Sequence, residues 1–155
     1  NPFTGKQCTT IHSTKIEYKK GIEYRSPVVS NLYDLEDGFH PELILWNEKT
    51  KIAGQADLVF IETKGNKRYI QISDYKTNGK IDTYSFMKYK MLDPLSHLDD
   101  VNYNHYRLQI SCYAWLLEQA GFIVIDLEFR HLTTPYRFKY MKKEVESIMP
   151  NYYDF

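Results

Sequence analysis

Two runs of alternating apolar and polar residues, Lys51–Glu62 and Lys67–Lys76, flank Lys64-Gly65-Asn66-Lys67, and this arrangement limits the fold more than any other feature of the chain. Alternation with period two marks a half-buried strand, because successive side chains of a strand point to opposite faces. Gly-Asn between two such runs signals a two-residue hairpin turn. A hairpin that pivots on Gly65-Asn66 pairs Lys64 with Lys67 and, by the same count, sets Asp57 opposite Asp74 with Cβ atoms ~5 Å apart. Asp57, Val59 and Ile61 then share a face with Ile70, Ile72, Asp74 and Lys76.

Two carboxylates at that spacing repel strongly unless a cation lies between them, and aspartate is depleted in strands. Two acids on the apolar-side face of a hairpin therefore point to a divalent metal. Hard oxygen ligands favour Mg²⁺ or Mn²⁺ over zinc. Such an ion polarises a phosphate and acidifies bound water, as phosphodiester hydrolysis requires. Lys76 points into the same space, where one ammonium can orient water or neutralise charge developing on phosphoryl oxygens. Each residue also has a plainer reading: Asp57 as the cap of a bulge near Gly54, and Asp74 with Lys76 as a strand-end ion pair. The three together favour the metal site.

Elsewhere the pattern predicts a strand over Glu42–Trp46, ended by Asn47-Glu48. A long, weakly patterned segment follows Thr77-Asn78-Gly79 and runs through Pro94 and Asp99-Asp100; such a stretch is functional or holds short helices of its own. Tyr106–Ala120 reads as a helix with Leu108, Cys112, Trp115 and Leu116 on one face and Gly121 at the C-cap. A strand over Phe122–Leu132, a short strand over Phe138–Met141 and a last helix over Lys142–Met149, closed by Pro150, complete the order. Lys15–Tyr18 and Val28–Val29 read as short strands or extended arms. Residues 1–40 are expected to be an extended arm, or the remnant of a larger N-terminal region, before a core over 41–155. The implied architecture is α/β or α+β: a small mixed β-sheet with an antiparallel hairpin, flanked by helices.

At 155 residues the chain has room for one core. Its 20 Lys and Arg balance 20 Asp and Glu, so no overall basic excess attracts a polyanion. Locally, Lys64, Lys67, Arg68, Lys76, Lys80, Lys88 and Lys90 face only Asp74 and Asp82. That is either a basic field around a cleft or a solvated lysine-rich loop. Cys8 and Cys112 form no CxxC, which argues against a cysteine-rich zinc site, a disulfide framework or an iron–sulfur cluster. No apolar run approaches the ~18 residues of a membrane span, and no signal-peptide pattern opens the chain. A reducing, soluble compartment without membrane contact is expected. The first residue is Asn1, so the chain is expected to be a trimmed piece of something longer.

Three ordered motifs add a family resemblance. Gly54-Gln55-Ala56-Asp57-Leu58-Val59, Ile72-Ser73-Asp74-Tyr75-Lys76-Thr77 and Gln109-Ile110-Ser111-Cys112-Tyr113 resemble the G-x-x-D strand, D-Y-K-T strand and Q-h-x-x-Y helix of RecB-like PD-(D/E)xK nucleases. With its surrounding elements the resemblance covers roughly residues 40–149, and its closest flavour is that of phage or prophage exonucleases. It implies a restriction-endonuclease-like core, with Asp57, Asp74 and the Tyr75 backbone carbonyl as ligands of Mg²⁺ or Mn²⁺ and Lys76 as catalytic. It implies too that Gln109 and Tyr113, one helical turn apart, face the site to hold ligands or DNA. The resemblance further implies DNA as substrate, recombination or repair as setting, a helicase or annealing protein as possible partner, and the cytoplasm of a bacterial or phage-infected cell. One departure stands out. Such nucleases usually carry a helix before the first strand that supplies a histidine or glutamate, and residues 1–40 show no such helix. Glu42 is the expected substitute, with His40 as the other choice. A non-cleaving nucleic-acid-binding or structural module on the same fold remains the alternative.

Overall fold

The computed structural model describes residues 29–150 and the backbone of two short strands, β1 (Thr14–Tyr18) and β2 (Gly21–Arg25), which pair antiparallel. β1 covers the expected Lys15–Tyr18 strand. Val28 and Cys8 lie outside the described residues, and Val29 is not in a strand.

The main sheet has five strands: β3 (Gly38–Asn47), β4 (Ile52–Lys64), β5 (Lys67–Lys76), β6 (Ile123–His131) and β7 (Thr134–Phe138), side by side in that order. All neighbours are antiparallel except β5 and β6, which run parallel. Parallel neighbours need a crossover. Here it is the irregular segment 77–101 followed by helix α1 (Asn102–Ala120), and a short helix α2 (Lys142–Ile148) comes last. The domain is thus mixed α/β, a five-stranded mixed sheet flanked by two helices.

The β4–β5 hairpin adopts the register set by Gly65-Asn66, from Lys64 opposite Lys67 to Leu58 opposite Ser73. Gly65 has φ +64° while Asn66 stays outside the left-handed region, which suits a type II′ turn with glycine first. Val59, Ile61, Ile70 and Ile72 are fully buried with Ile110, Ala114 and Leu117 of α1 in one apolar core. The helix's expected stripe is displaced. Leu108, Trp115 and Leu116 are buried, but Cys112 is half-buried and the least exposed positions are Ile110, Ser111, Ala114 and Leu117. The sheet covers one side of α1 while the lead-in to α2 covers another, where the Met141 N–H donates to Ser111 Oγ at 3.1 Å. Gly121 at φ +119° ends α1, with its N–H on Glu118 O and that of Phe122 on Leu117 O.

Two expectations need correction. The short strand is Thr134–Phe138, not Phe138–Met141. Leu132 at φ +56° turns the chain directly back from β6, and Pro135 is accommodated because β7 is an edge strand. The divide after residue 40 falls inside β3, and Leu32 and Leu35 already lie in the core. Arg68 holds that lead-in, donating to the carbonyls of Tyr33 and Leu35 and to Asp37. Segment 77–101, expected to be functional or to hold short helices, contains no helix; an isolated bridge between Lys90 and Asp99 organises it.

Candidate active site

β4 and β5 separate just beyond Leu58 and Ser73. Continued pairing would send the Tyr75 N–H to the carbonyl of Ala56. Instead it donates to Asp57 Oδ2 at 2.8 Å. On its other side β4 skips a single pair with β3, Glu42 opposite Asp57, although pairing resumes on both sides in unchanged register. Glu42 has φ +50°, a conformation that costs a residue with a side chain about 1–2 kcal/mol. The core-facing phase of both strands shifts there, from His40 to Leu43 and from Val59 to Ala56. Asp57 therefore sits at a double irregularity rather than in plain alternation with Val59 and Ile61, and it is half-buried.

Asp74 stands across this fork at 4% exposure, on the strand that continues beside β6. Lys76 Nζ lies 2.6 Å from Asp74 Oδ2. Oδ2 is buried, and the Lys76 ammonium is its ion-pair partner. Burial pushes the Asp74 carboxyl up to about 6, the Asp57 carboxylate pushes the same way, and Lys76 opposes both. Gln109 Oε1 accepts from Lys76 Nζ at 2.8 Å, and the Tyr106 ring lies under the same ammonium at 4.5 Å. Gln109 Nε2 donates in turn to Tyr113 Oη at 3.1 Å. Burial first, then the charge of Asp74, holds the Tyr113 phenol above its ordinary range, so it stays neutral. With its oxygen accepting from Gln109, its proton is available to a ligand.

The fork closes around Gly54. A Cβ there would meet Tyr113 Cε1 at 2.7 Å, so the Tyr113 ring occupies the space any other residue would fill. One chain of contacts thus runs from Gly54 through Tyr113, Gln109 and Lys76 to Asp74.

Of the expected site residues, Asp57, Asp74, Lys76, Gln109 and Tyr113 come together. Tyr75 enters through its N–H. In an extended strand a residue's N–H and C=O share one edge. The Lys76 carbonyl faces the other way, accepting from Leu132 N–H at 3.1 Å. The Tyr75 carbonyl is therefore turned toward the fork, beside Asp57. Glu42 does not join the aspartates. Its side chain is exposed, its carbonyl accepts from Gln55 Nε2, and no group of three or more His, Cys, Asp or Glu among the described residues is arranged to hold a metal. His40 is fully buried, with Nε2 2.7 Å from Glu36 O, and does not replace it. The side-chain oxygens at the fork are hard donors of the kind that Mg²⁺ and Mn²⁺ take, and two carboxylates supply them, one already paired with Lys76.

The basic run splits in two. Lys64, Lys67 and Arg68 sit at the hairpin tip, about 23 Å along the strand from Asp74, and Arg68 is committed to the lead-in. Lys76 alone of the seven contacts the acids of the fork. Sequence reasoning missed Tyr106, although its spacing with Gln109 and Tyr113 along α1 places all three on one helix face. Comparison with protein-family models, curated proteins and solved structures gives no match to this chain. No helix among the described residues is long and apolar enough to cross a membrane.

Proposed function

We propose that this chain is a divalent-metal-dependent nuclease domain of the PD-(D/E)xK type, with a restriction-endonuclease-like core, that hydrolyses DNA phosphodiester bonds as an exonuclease in recombination or repair. The carrying observation is the fork itself. Two strands part so that Asp57 and Asp74 approach one another, with Lys76 held between Asp74 and Gln109. Asp57, Asp74 and the Tyr75 carbonyl would hold Mg²⁺ or Mn²⁺. When bound, the cation supplies Lewis-acid polarisation of a phosphoryl oxygen and acidifies water.

The chain's own groups do the rest. Gln109 and the Tyr106 ring fix the Lys76 ammonium where negative charge develops on the phosphoryl oxygens. Tyr113 offers its hydroxyl proton to a phosphate oxygen or to water. The Tyr75 N–H fixes the Asp57 carboxylate through Oδ2.

The second reading, a non-cleaving nucleic-acid-binding module, draws on one observation: among the described residues no third acid joins the aspartates, and Lys76 already neutralises Asp74. Single-turnover cleavage separates the two. Labelled linear and circular DNA and RNA are incubated with Mg²⁺, Mn²⁺ or a chelator, using wild type and Lys76→Ala. The nuclease reading expects chelator-sensitive cleavage that Lys76→Ala slows roughly 10²–10³-fold, an effect of ~3–4 kcal/mol on the barrier, with an unchanged thermal melt. An inert wild type on every substrate establishes the non-cleaving module instead.

A further inference from the structure

Immediately after β5 the chain leaves five large apolar side chains open to solvent. Tyr84 is 68% exposed, Phe86 86%, Met87 64%, Tyr89 64% and Leu92 88%. Single exposed apolar residues are ordinary, whereas a cluster within one short segment marks a binding surface.

The backbone beneath them is held firmly. Asp99 Oδ2 accepts from Ser85 N–H at 2.8 Å, and Ser85 Oγ accepts from Tyr89 N–H at 2.9 Å. Asp100 N–H donates to Tyr89 O and Met91 N–H to Leu98 O. Asn102, the first residue of α1, receives Asp82 N–H and donates to Lys80 O. The segment is therefore shaped, yet it turns outward the side chains that folding alone would bury.

Its chemistry selects an occupant. Along the segment the rings of Tyr84, Phe86 and Tyr89 are interspersed with Lys80, Lys88 and Lys90, and Asp82 lies among them. Lys80 pairs with Asp82 and Lys90 with Asp99, while Lys88 has no acid partner among the described residues. Exposed rings beside an uncompensated ammonium match a ligand with π-faces and phosphates. A duplex hides the faces of its bases; a single strand presents them. The base of the segment is tied to the start of α1, about 10 Å of helix rise from Gln109.

We infer that the Tyr84–Leu92 ledge binds single-stranded nucleic acid, stacking bases on Tyr84, Phe86 and Tyr89 and placing Lys88 on a phosphate, and that it leads the strand to the fork. The leading rests on the nuclease reading; the binding does not.

Fluorescence anisotropy with a labelled oligothymidine strand, in chelator so that nothing is cut, tests the binding. The same strand in duplex form is the control. Phe86→Ala/Tyr89→Ala lowers single-strand affinity about tenfold or more and changes duplex affinity less. Lys88→Ala weakens binding and flattens its salt dependence. Thermal melts confirm that the variants fold, as expected for side chains this exposed. Unchanged single-strand affinity in the double variant overturns the inference. So does sedimentation showing that the double variant loses self-association while keeping strand binding, since the ledge then belongs to a second copy of the chain. If wild type cuts nothing but the ledge variant still loses strand binding, the ledge stands and the nuclease reading falls. If wild type cuts and the ledge variant binds and cuts as before, the reverse holds.

Discussion

At its tip the β4–β5 hairpin pairs backbone to backbone from Lys64 and Lys67 onward, whereas at Asp57 and Asp74 the same two strands part and a carboxylate replaces a carbonyl as acceptor. Toward the tip most local preferences agree, with a type II′ turn on Gly65 and β-branched residues facing the core; the exception is Gln71, whose Oε1 is buried without a partner where β5 shifts register against β6. At the fork several rules break together. Glu42 takes a positive φ, two acids share a largely buried space, and the buried Asp74 carboxylate is paired with a lysine. A sequence that is consistent over most of a hairpin and inconsistent at one end concentrates its function at that end.

The largest expected effect separates the two regions by stability. Ile70→Ala removes a fully buried side chain from the tip half of β5 and costs about 3 kcal/mol, read from urea unfolding. Its Mn²⁺ affinity stays at the wild-type level. A loss of metal affinity matching that of a fork variant breaks the comparison, because the regions then do not act separately.

Gly54→Ala is a smaller perturbation aimed at the fork. The added methyl meets the Tyr113 ring and displaces it along with Gln109. We expect destabilisation of about 1–2 kcal/mol and cleavage roughly tenfold slower, measured by thermal melt and single-turnover rate. Unchanged values in both show that the Tyr113 position is immaterial.

The last effect, no larger than that of Gly54→Ala, is a gain. The Asp74 carboxyl is raised to about 6 in the folded chain, from 3.8. Between those values the native state holds more protons than the unfolded one, so the stability this group contributes below pH 3.8 is lost as pH rises through 6. Metal-free Asp74→Asn, which cannot ionise, is therefore more stable than wild type by about 1–2 kcal/mol at pH 8, discounted for partial solvation. The gap closes as pH falls toward 4. A gap that is constant with pH assigns the effect to packing instead.

The hairpin was legible because turn chemistry and alternation act locally: Gly65-Asn66 fixed the register, and the register set Asp57 against Asp74. The coarse order of strands and helices followed from the same periodicities. The fork was not legible. Period-two counting assumes that pairing continues, and the phase shift at Glu42 and Asp57 depends on the neighbouring β3 strand. Glu42 sits at that shift, where its positive φ leaves its side chain on the exposed side. The burial of α1 was read too narrowly because a helix covered on two sides has no single stripe. Tyr106 and the Gly54–Tyr113 contact involve partners far apart in the chain, which spacing within one element does not reveal.

The central claim is that the fork is a divalent-metal site, and calorimetric titration with Mn²⁺ at pH 8 tests it most directly. Wild type, Asp57→Asn and Asp74→Asn are compared, with Ile70→Ala as the control from the tip. The account predicts that wild type and Ile70→Ala bind Mn²⁺ alike, and that each aspartate variant binds it more than about tenfold more weakly. Equal binding by wild type and Asp74→Asn, or no binding by wild type, contradicts it.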